Sequence, residues 1–385
     1  MRVYLDYNAT AMVPPAVVDA VTVALRERYG NASSAHFFGQ QAKAVLDDSR
    51  SAVARLIGAE PSEIVFTAGG TESDNLAVLG VAEALESTGR RRLVISAIEH
   101  EAVLNTVKAL GKRGWTTTLL PVERTGVMAP DALASALDDR TALVSIMLAN
   151  NELGTIQPVA ELAAMARTRG VLVHTDAVQA VGKIPVDVRA LGVDLLTLSG
   201  HKFGAPKGVG ALWVRRGLSL HAQTMGGRQE RGRRAGTENV PALEGLRVAA
   251  DMAARTSAAD AHRIGSLRDR LESGILGLVP GSAVNGDPAA RVPNTSNISF
   301  ERVEGESLVI ALDLEGIAVS TGSACSSGTL KPSHVLRAIG LSSSRVQSAI
   351  RFSLGPATTG AEIDRVLNVL PTLVTRLRSR GGGRG

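Results

Sequence analysis

Several short segments of the 385-residue chain put chemistry-bearing side chains where apolar runs end. The run 195–199 leads into Ser199-Gly200-His201-Lys202-Phe203-Gly204, so Lys202 stands just past a strand in a Gly/Pro-rich loop. A lysine there does little for helix or sheet stability. Partial burial would lower its pKa and suit it to a Schiff base. A solvated loop lysine, and for His201 a satisfied loop histidine, are the plainer uses of the same positions. The run 171–175 ends in Asp176, with Gln179 three residues on. A carboxylate at a strand's C-terminal end faces the crevice where α/β proteins bind ligands, and it can pair with a protonated ring nitrogen or cap the next helix. The run 63–67 enters a helix through Ala68-Gly69-Gly70-Thr71. Small residues and the helix dipole suit one phosphate there, and Thr71 serves equally as an N-cap. No dinucleotide fingerprint or Walker A loop is present at that turn. His100 follows the run 93–97, at the same edge as Thr71, Asp176 and Lys202.

Cys325 is the one cysteine, flanked by Ser320-Thr321-Gly322-Ser323-Ala324 and Ser326-Ser327-Gly328. Small polar neighbours on both sides fit an exposed, mobile nucleophile, or an incidental exposed thiol. A single cysteine allows no intrachain disulfide and no Cys-rich metal site. That points to a reducing compartment, and the expected location is cytoplasmic.

The elements that must position these residues show in the alternation of the chain. Apolar, β-branched runs fall at 63–67, 93–97, 116–120, 142–148, 171–175, 195–199 and 209–214, with helical patterns such as 71–85, 101–110, 131–137 and 159–169 between them. This predicts an α/β fold with a mostly parallel, buried sheet of seven strands. The gap from 199 to 209 is too short for a crossover helix, so the last strand is expected antiparallel. A long helix is expected over 242–278, a turn region over 280–293, then a smaller α+β part. The domain reading is a large domain at 16–250 and a small one from 1–15 plus 251–376. A disordered Gly/Arg tail is expected over 377–385.

Composition excludes several classes. Hydrophobic residues are 44% and charged residues 21%, which excludes disorder as the main state. No apolar run is long enough to cross a membrane, and the N-terminus has no secretory core. Formal charge is +5 and aromatics are 3%, too few to stack on nucleic acid. No membrane or nucleic-acid partner is expected.

In order, the motifs 4–10, 30–36, 67–75, 99–101, 149–154, 174–179, 199–210, 234–239, 293–300 and 320–328 with 332–337 resemble the NifS/IscS-type cysteine desulfurases. The most specific part is Ser-Gly-His-Lys followed much later by Gly-Ser-Ala-Cys-Ser-Ser-Gly. The resemblance implies fold type I of the pyridoxal 5′-phosphate (PLP) enzymes, in the class V aminotransferase branch. It implies that Lys202 holds PLP, Asp176 keeps its ring nitrogen protonated, and Gln179 binds the ring hydroxyl. His100 would stack on the ring and act as acid/base. Gly70, Thr71, Ser199 and His201 would bind the phosphate, with Thr237 reaching it from the other subunit of a homodimer. Asn151 and Arg351 would hold the substrate carboxylate. L-cysteine would be the substrate, Cys325 the sulfur carrier, and an iron–sulfur scaffold or other acceptor the partner. No intrinsic metal is implied, beyond a transient iron–sulfur species at Cys325 during transfer. Departures from the pattern are Ala11 after Ala9-Thr10 and Ala32 in Gly30-Asn31-Ala32-Ser33-Ser34. A selenocysteine lyase or aminotransferase shares fold and cofactor, and a non-catalytic binding protein could share the fold.

Overall fold

The computed structural model describes residues 2–321 and 332–381. Its strands are β1 (Val3–Tyr4), β2 (Ile64–Thr67), β3 (Arg92–Ser96), β4 (Thr116–Leu120), β5 (Thr141–Ser145), β6 (Leu172–Asp176), β7 (Leu195–Ser199), β8 (Gly210–Val214), β9 (Ser282–Asn285), β10 (Thr295–Phe300), β11 (Ile317–Ala318) and β12 (Ala349–Ser353). Seven of them form one sheet in the order β2-β8-β7-β6-β5-β3-β4. Helices cover both faces of the sheet, so the inner strands β5, β7 and β8 and the edge strand β2 are buried throughout. The β7–β8 and β2–β8 pairings are antiparallel and the others parallel, as the short 199–209 gap requires.

Because β2, β3, β5, β6 and β7 run the same way, the turns after Thr67, Ser96, Ser145, Asp176 and Ser199 leave from one edge. That edge is where the chemistry-bearing residues of the sequence lie. Gly210 on β8 must be glycine for this edge to form, since a Cβ there would stand 2.7 Å from the Gly69 Cα.

The 39-residue helix Val240–Leu278 packs its first half on the large-sheet core through Leu243, Leu246 and Ala250, and its second half on a separate cluster through Ile264, Leu271 and Ile275. The second cluster surrounds the antiparallel sheet β12-β10-β9. The N-terminal strand joins it, since β1 pairs in parallel with β11 and Leu5 is buried there.

Two expectations are corrected. The turn region 280–293 contains β9, whose alternation is hidden among Gly, Asn and Pro but whose backbone pairs with β10 from Ser282 to Asn285. The tail expected to be disordered from 377 begins as helix, because Gly360–Gly381 is one helix. Leu370, Leu373 and Val374 are buried on its apolar face and Leu377 continues that stripe, while Arg378 Nε donates to the Glu301 carbonyl at 2.9 Å. Arg/Gly composition masked the periodicity.

Candidate functional site

One cavity of about 350 Å³ opens at the C-terminal edge of the large sheet. Its lining includes Gly70, Thr71, His100, Asn151, Asp176, Gln179, Ser199, His201, Lys202 and Arg351. These are ten of the residues chosen from sequence, nine of them drawn from five strand ends or loops of the large sheet and Arg351 from the middle of β12. Thr237 does not line it and is exposed. Cys325 lies outside the described residues.

The turn after β2 has a geometry that could take an anion. Gly69 has φ +155° and ψ −174°, a conformation that L side chains rarely adopt, and it precedes the first turn of the Gly70–Leu85 helix. A Cβ on Gly70 would meet the Val178 Cγ2 at 2.8 Å. Thr71 lies inside the helix and is not its N-cap. Backbone N–H groups of a helix start, the Thr71 and Ser199 hydroxyls and His201 therefore border the same corner of the cavity. Burial, then Lys202 and Lys207, lowers His201 to about 4, so it is neutral at pH 7.

Asp176 is 5% exposed, and its Oδ1 accepts from the Val178 N–H at 2.9 Å in a local turn. Burial pushes its carboxyl up, while His100, that N–H and Lys202 pull it back. Gln179 Nε2 donates to the Asn8 carbonyl at 3.0 Å, and its Oε1 accepts from Lys183 Nζ at 2.5 Å. Lys202 Nζ donates to the carbonyls of Asn8 and Ala9 at 2.7 and 3.0 Å. His100 is the N-cap of the Glu101–Gly111 helix, with Nδ1 accepting from the Ala102 N–H at 3.1 Å. In a neutral ring that bond would put the proton on Nε2.

Arg351 is 2% exposed and lies on β12, beside the N-terminal segment. Its Nη2 bonds Asp6 Oδ1 at 2.7 Å and its Nη1 the Asn151 carbonyl at 3.1 Å. Nε has no protein partner among the described residues. A guanidinium so held is aimed by Asp6 and keeps donors for a carboxylate.

Several residues of this region were not singled out from sequence. Asp74, Glu99 and His174 form a buried group behind Asp176. Burial, with Asp176 as a like charge, raises Asp74 and Glu99 well above the usual carboxylate range. His174 is pushed down to about 3 by burial, bonded to Ser145 Oγ at 2.8 Å and Thr197 Oγ1 at 3.0 Å. Lys183 is held well below an ordinary lysine by burial and by the nearby charges of Lys202 and Arg351. Its place one turn beyond Gln179 was the available signal. Asn8, Asp6 and Asp74 sat inside quoted motifs with nothing in their types to mark a role.

The class V aminotransferase family model matches residues 3–366. A cysteine desulfurase of Gluconacetobacter diazotrophicus is 50% identical over 378 residues, covering 98% of this chain and 94% of its own. The cysteine desulfurase NifS of Azotobacter vinelandii is 46% identical over 378 residues, with the same shares covered. A solved NifS-like protein superposes with a TM-score of 0.92 at 39% identity, covering 98% of this chain and all of its own. The chain belongs to the cysteine desulfurases of the class V aminotransferase family. It is thus an enzyme of PLP fold type I that takes L-cysteine as substrate. The residues present fit that cofactor. A Gly-lined helix start with two hydroxyls suits the phosphate, a buried carboxylate suits the ring nitrogen, and Lys202 borders the same space.

Proposed function

We propose that this desulfurase carries the sulfur of L-cysteine as a persulfide on Cys325 to an iron–sulfur scaffold or another acceptor protein, and releases L-alanine. The convergence of Lys202, Asp176, His100 and Arg351 on one cavity supports this reading, together with the full-length likeness to cysteine desulfurases.

When bound, PLP supplies an electron sink that makes the cysteine Cβ–S bond breakable. Gly70, Thr71, Ser199 and His201 hold its phosphate, Asp176 and Gln179 its ring, and Lys202 its aldehyde carbon. Arg351, aimed by Asp6, grips the substrate carboxylate with Asn151 beside it and so fixes which substrate bonds face Lys202. Lys202 Nζ moves the proton at the substrate Cα. His100 exchanges a proton at Nε2, because Nδ1 is committed to the Ala102 N–H. The Cys325 thiolate bonds to the substrate sulfur, the Cβ–S bond breaks, and Cβ takes a proton to become the alanine methyl. Its reactivity as a thiolate gains from the cationic groups around the cavity.

The active form is a homodimer. Among six Phe, three Tyr and two Trp in the chain, Tyr29, Phe37 and Phe38 form one exposed cluster. Their rings lie 5.3 Å (Tyr29–Phe38) and 5.5 Å (Phe37–Phe38) apart. A patch of this kind marks a protein interface. Ala32 and Ser33, between those aromatics, share a surface cleft with Arg228–Arg231 and Glu238. The loop carrying Thr237 therefore lies near that patch, which supports a role for Thr237 at the partner's phosphate site. A reducing cytoplasm is the compartment that suits a lone reactive thiol. Among the described residues no helix is long and apolar enough to cross a membrane.

The test is turnover of L-cysteine with a thiol reductant. Equal sulfide and alanine are expected, and Cys325→Ala should still bind PLP and cysteine but release no sulfur. A fully active Cys325→Ala protein would overturn the persulfide route.

A further inference from the structure

Lys202 also lines a second cavity, about 540 Å³, which the desulfurase reaction does not use. Its volume and make-up are those of a small-molecule site: mostly apolar walls and a few polar groups. The walls come from both apolar clusters, with Met12, Val13, Met252, Ala253, Ile264 and Leu354 among them. Met12 and Val13 are 49% and 40% exposed and stand at its opening.

The polar groups gather at one end, around Asn8. Lys183 and Asn294 both donate to Asn8 Oδ1, at 2.7 and 3.0 Å, Lys202 donates to the Asn8 carbonyl, and Tyr7 is its chain neighbour. All of Tyr7, Lys183, Lys202 and Asn294 line the cavity. Tyr7 is 4% exposed, and the Ala357 N–H lies beside its hydroxyl oxygen, but the hydroxyl proton has no acceptor among the described residues. Leaving a buried donor without an acceptor is unfavourable, so a ligand atom that accepts from it is favoured. Gly355 exists to admit this ring, since a Cβ there would lie 2.0 Å from Tyr7 Cε1. The hydroxyl stays protonated, because burial raises it to about 12. Lys183 is a buried amine facing the like charges of Lys202 and Arg351, and a negative group beside it would relieve that repulsion. Asp260, the one acid of the lining among the described residues, is on the long helix and bonded to Arg263 Nη2 at 3.2 Å.

We propose that this cavity is a binding site for a small organic anion with an apolar body, an aryl or medium-chain carboxylate, whose carboxylate accepts from Tyr7 Oη at the Asn8 end. The body fills the space between the long helix and the N-terminal segment. Occupancy acts on the cofactor site through the partition the two cavities share, Lys202 itself and the Lys183–Gln179 bond. The site is distinct from the cysteine site, and its link to the cofactor rests on the reading of Lys202 given above.

The experiment is calorimetric titration of the PLP-loaded protein with 4-phenylbutanoate and, as the uncharged control, 4-phenylbutan-1-ol. The acid should bind with at least tenfold preference over the alcohol. Tyr7→Phe should weaken it about fivefold, and Ala253→Phe, which fills the cavity from the helix, should abolish it. Both variants are checked for PLP loading by absorbance. No binding of either probe at millimolar concentration overturns the site. Undiminished binding in a loaded Ala253→Phe protein places the ligand elsewhere and overturns it too, and equal binding of acid and alcohol overturns the anion. Sulfide production is assayed separately, so a failed desulfurase reading would show there and not in the titration.

Discussion

Asn8 shows how much a single side chain can organise without reacting. Its N–H bonds Ser353 Oγ, its Nδ2 the Asn151 carbonyl and Thr295 Oγ1, its Oδ1 accepts from Lys183 and Asn294, and its carbonyl accepts from Gln179 and Lys202. These partners come from β10 and β12 of the small sheet, from loops that follow strands of the large one, and from Lys202. In sequence it reads as an ordinary turn residue, because the partners lie up to 345 positions away. The buried acids and His174 were hidden for a similar reason: their state depends on burial, which composition does not reveal. His174 gives that state a measurable consequence. Its folded pKa of about 3 lies below the roughly 6.5 of a free imidazole. Its contribution to stability is therefore complete above about pH 6.5 and is lost as pH falls toward 3, when the unfolded chain binds the extra proton. The raised carboxyls Asp74 and Glu99 act in the opposite direction, lowering stability as pH rises past about 4. Only a difference between variants isolates the imidazole. The thermal midpoint should fall less steeply between pH 6.5 and 4.5 in His174→Asn than in the parent. Equal slopes would mean that the buried ring is not neutral.

At the scale of elements, strand ends and loops carry the site. Most of the sheet strands were legible because a strand buried on both faces is a near-continuous apolar run, the exposed edge strand β4 because its threonines are β-branched, and the one reversed strand because a nine-residue gap cannot hold a crossover. The two-residue pairing of β1 with β11 was not legible, since a strand that short has no period. The site residues that stand at strand ends showed themselves by position. Arg351 did not, lying mid-strand on β12 and buried in another sheet, and only the family resemblance pointed to it. The turn after β2 makes a prediction of its own. A Cβ on Gly69 would have room, its closest contact being Ser199 Oγ at 3.8 Å, so substitution strains the backbone without a clash. Such conformations cost a non-glycine residue on the order of 1–3 kcal/mol. If those backbone N–H groups hold the phosphate, relaxation of the turn moves them off it. Gly69→Ala should weaken PLP binding about tenfold or more, read from a titration of the visible cofactor band, with little loss of secondary structure by circular dichroism. An unchanged affinity would take the phosphate away from this turn.

For the whole molecule the question is what covers the aromatic face. Tyr29, Phe37 and Phe38 are 67%, 68% and 44% exposed, in a chain with 3% aromatic residues. The neighbouring 228–239 loop is fixed to its own subunit from both sides. Glu230 is a buried partner of Arg50 at 2.7 Å, and Arg234 bonds Glu72 at 2.8 Å in the first turn of the Gly70–Leu85 helix. Glu230 and Arg231 hold positive φ, a strain that the buried ion pair over-determines. A loop this constrained presents Thr237 outward in one conformation, which suits a residue acting across an interface. If this face is the interface of the proposed dimer, replacing Phe37 and Phe38 together by Asp puts two charges into it and should give a monomer by light scattering. The large-sheet core lies elsewhere and should keep its thermal transition. If Thr237 completes the partner's phosphate site, the monomer should also bind PLP more weakly, and Thr237→Ala in the intact dimer should reproduce part of that loss. A monomer with parental PLP affinity would confine the cofactor site to one chain. A dimer that survives both Asp substitutions would move the interface off the aromatic face altogether.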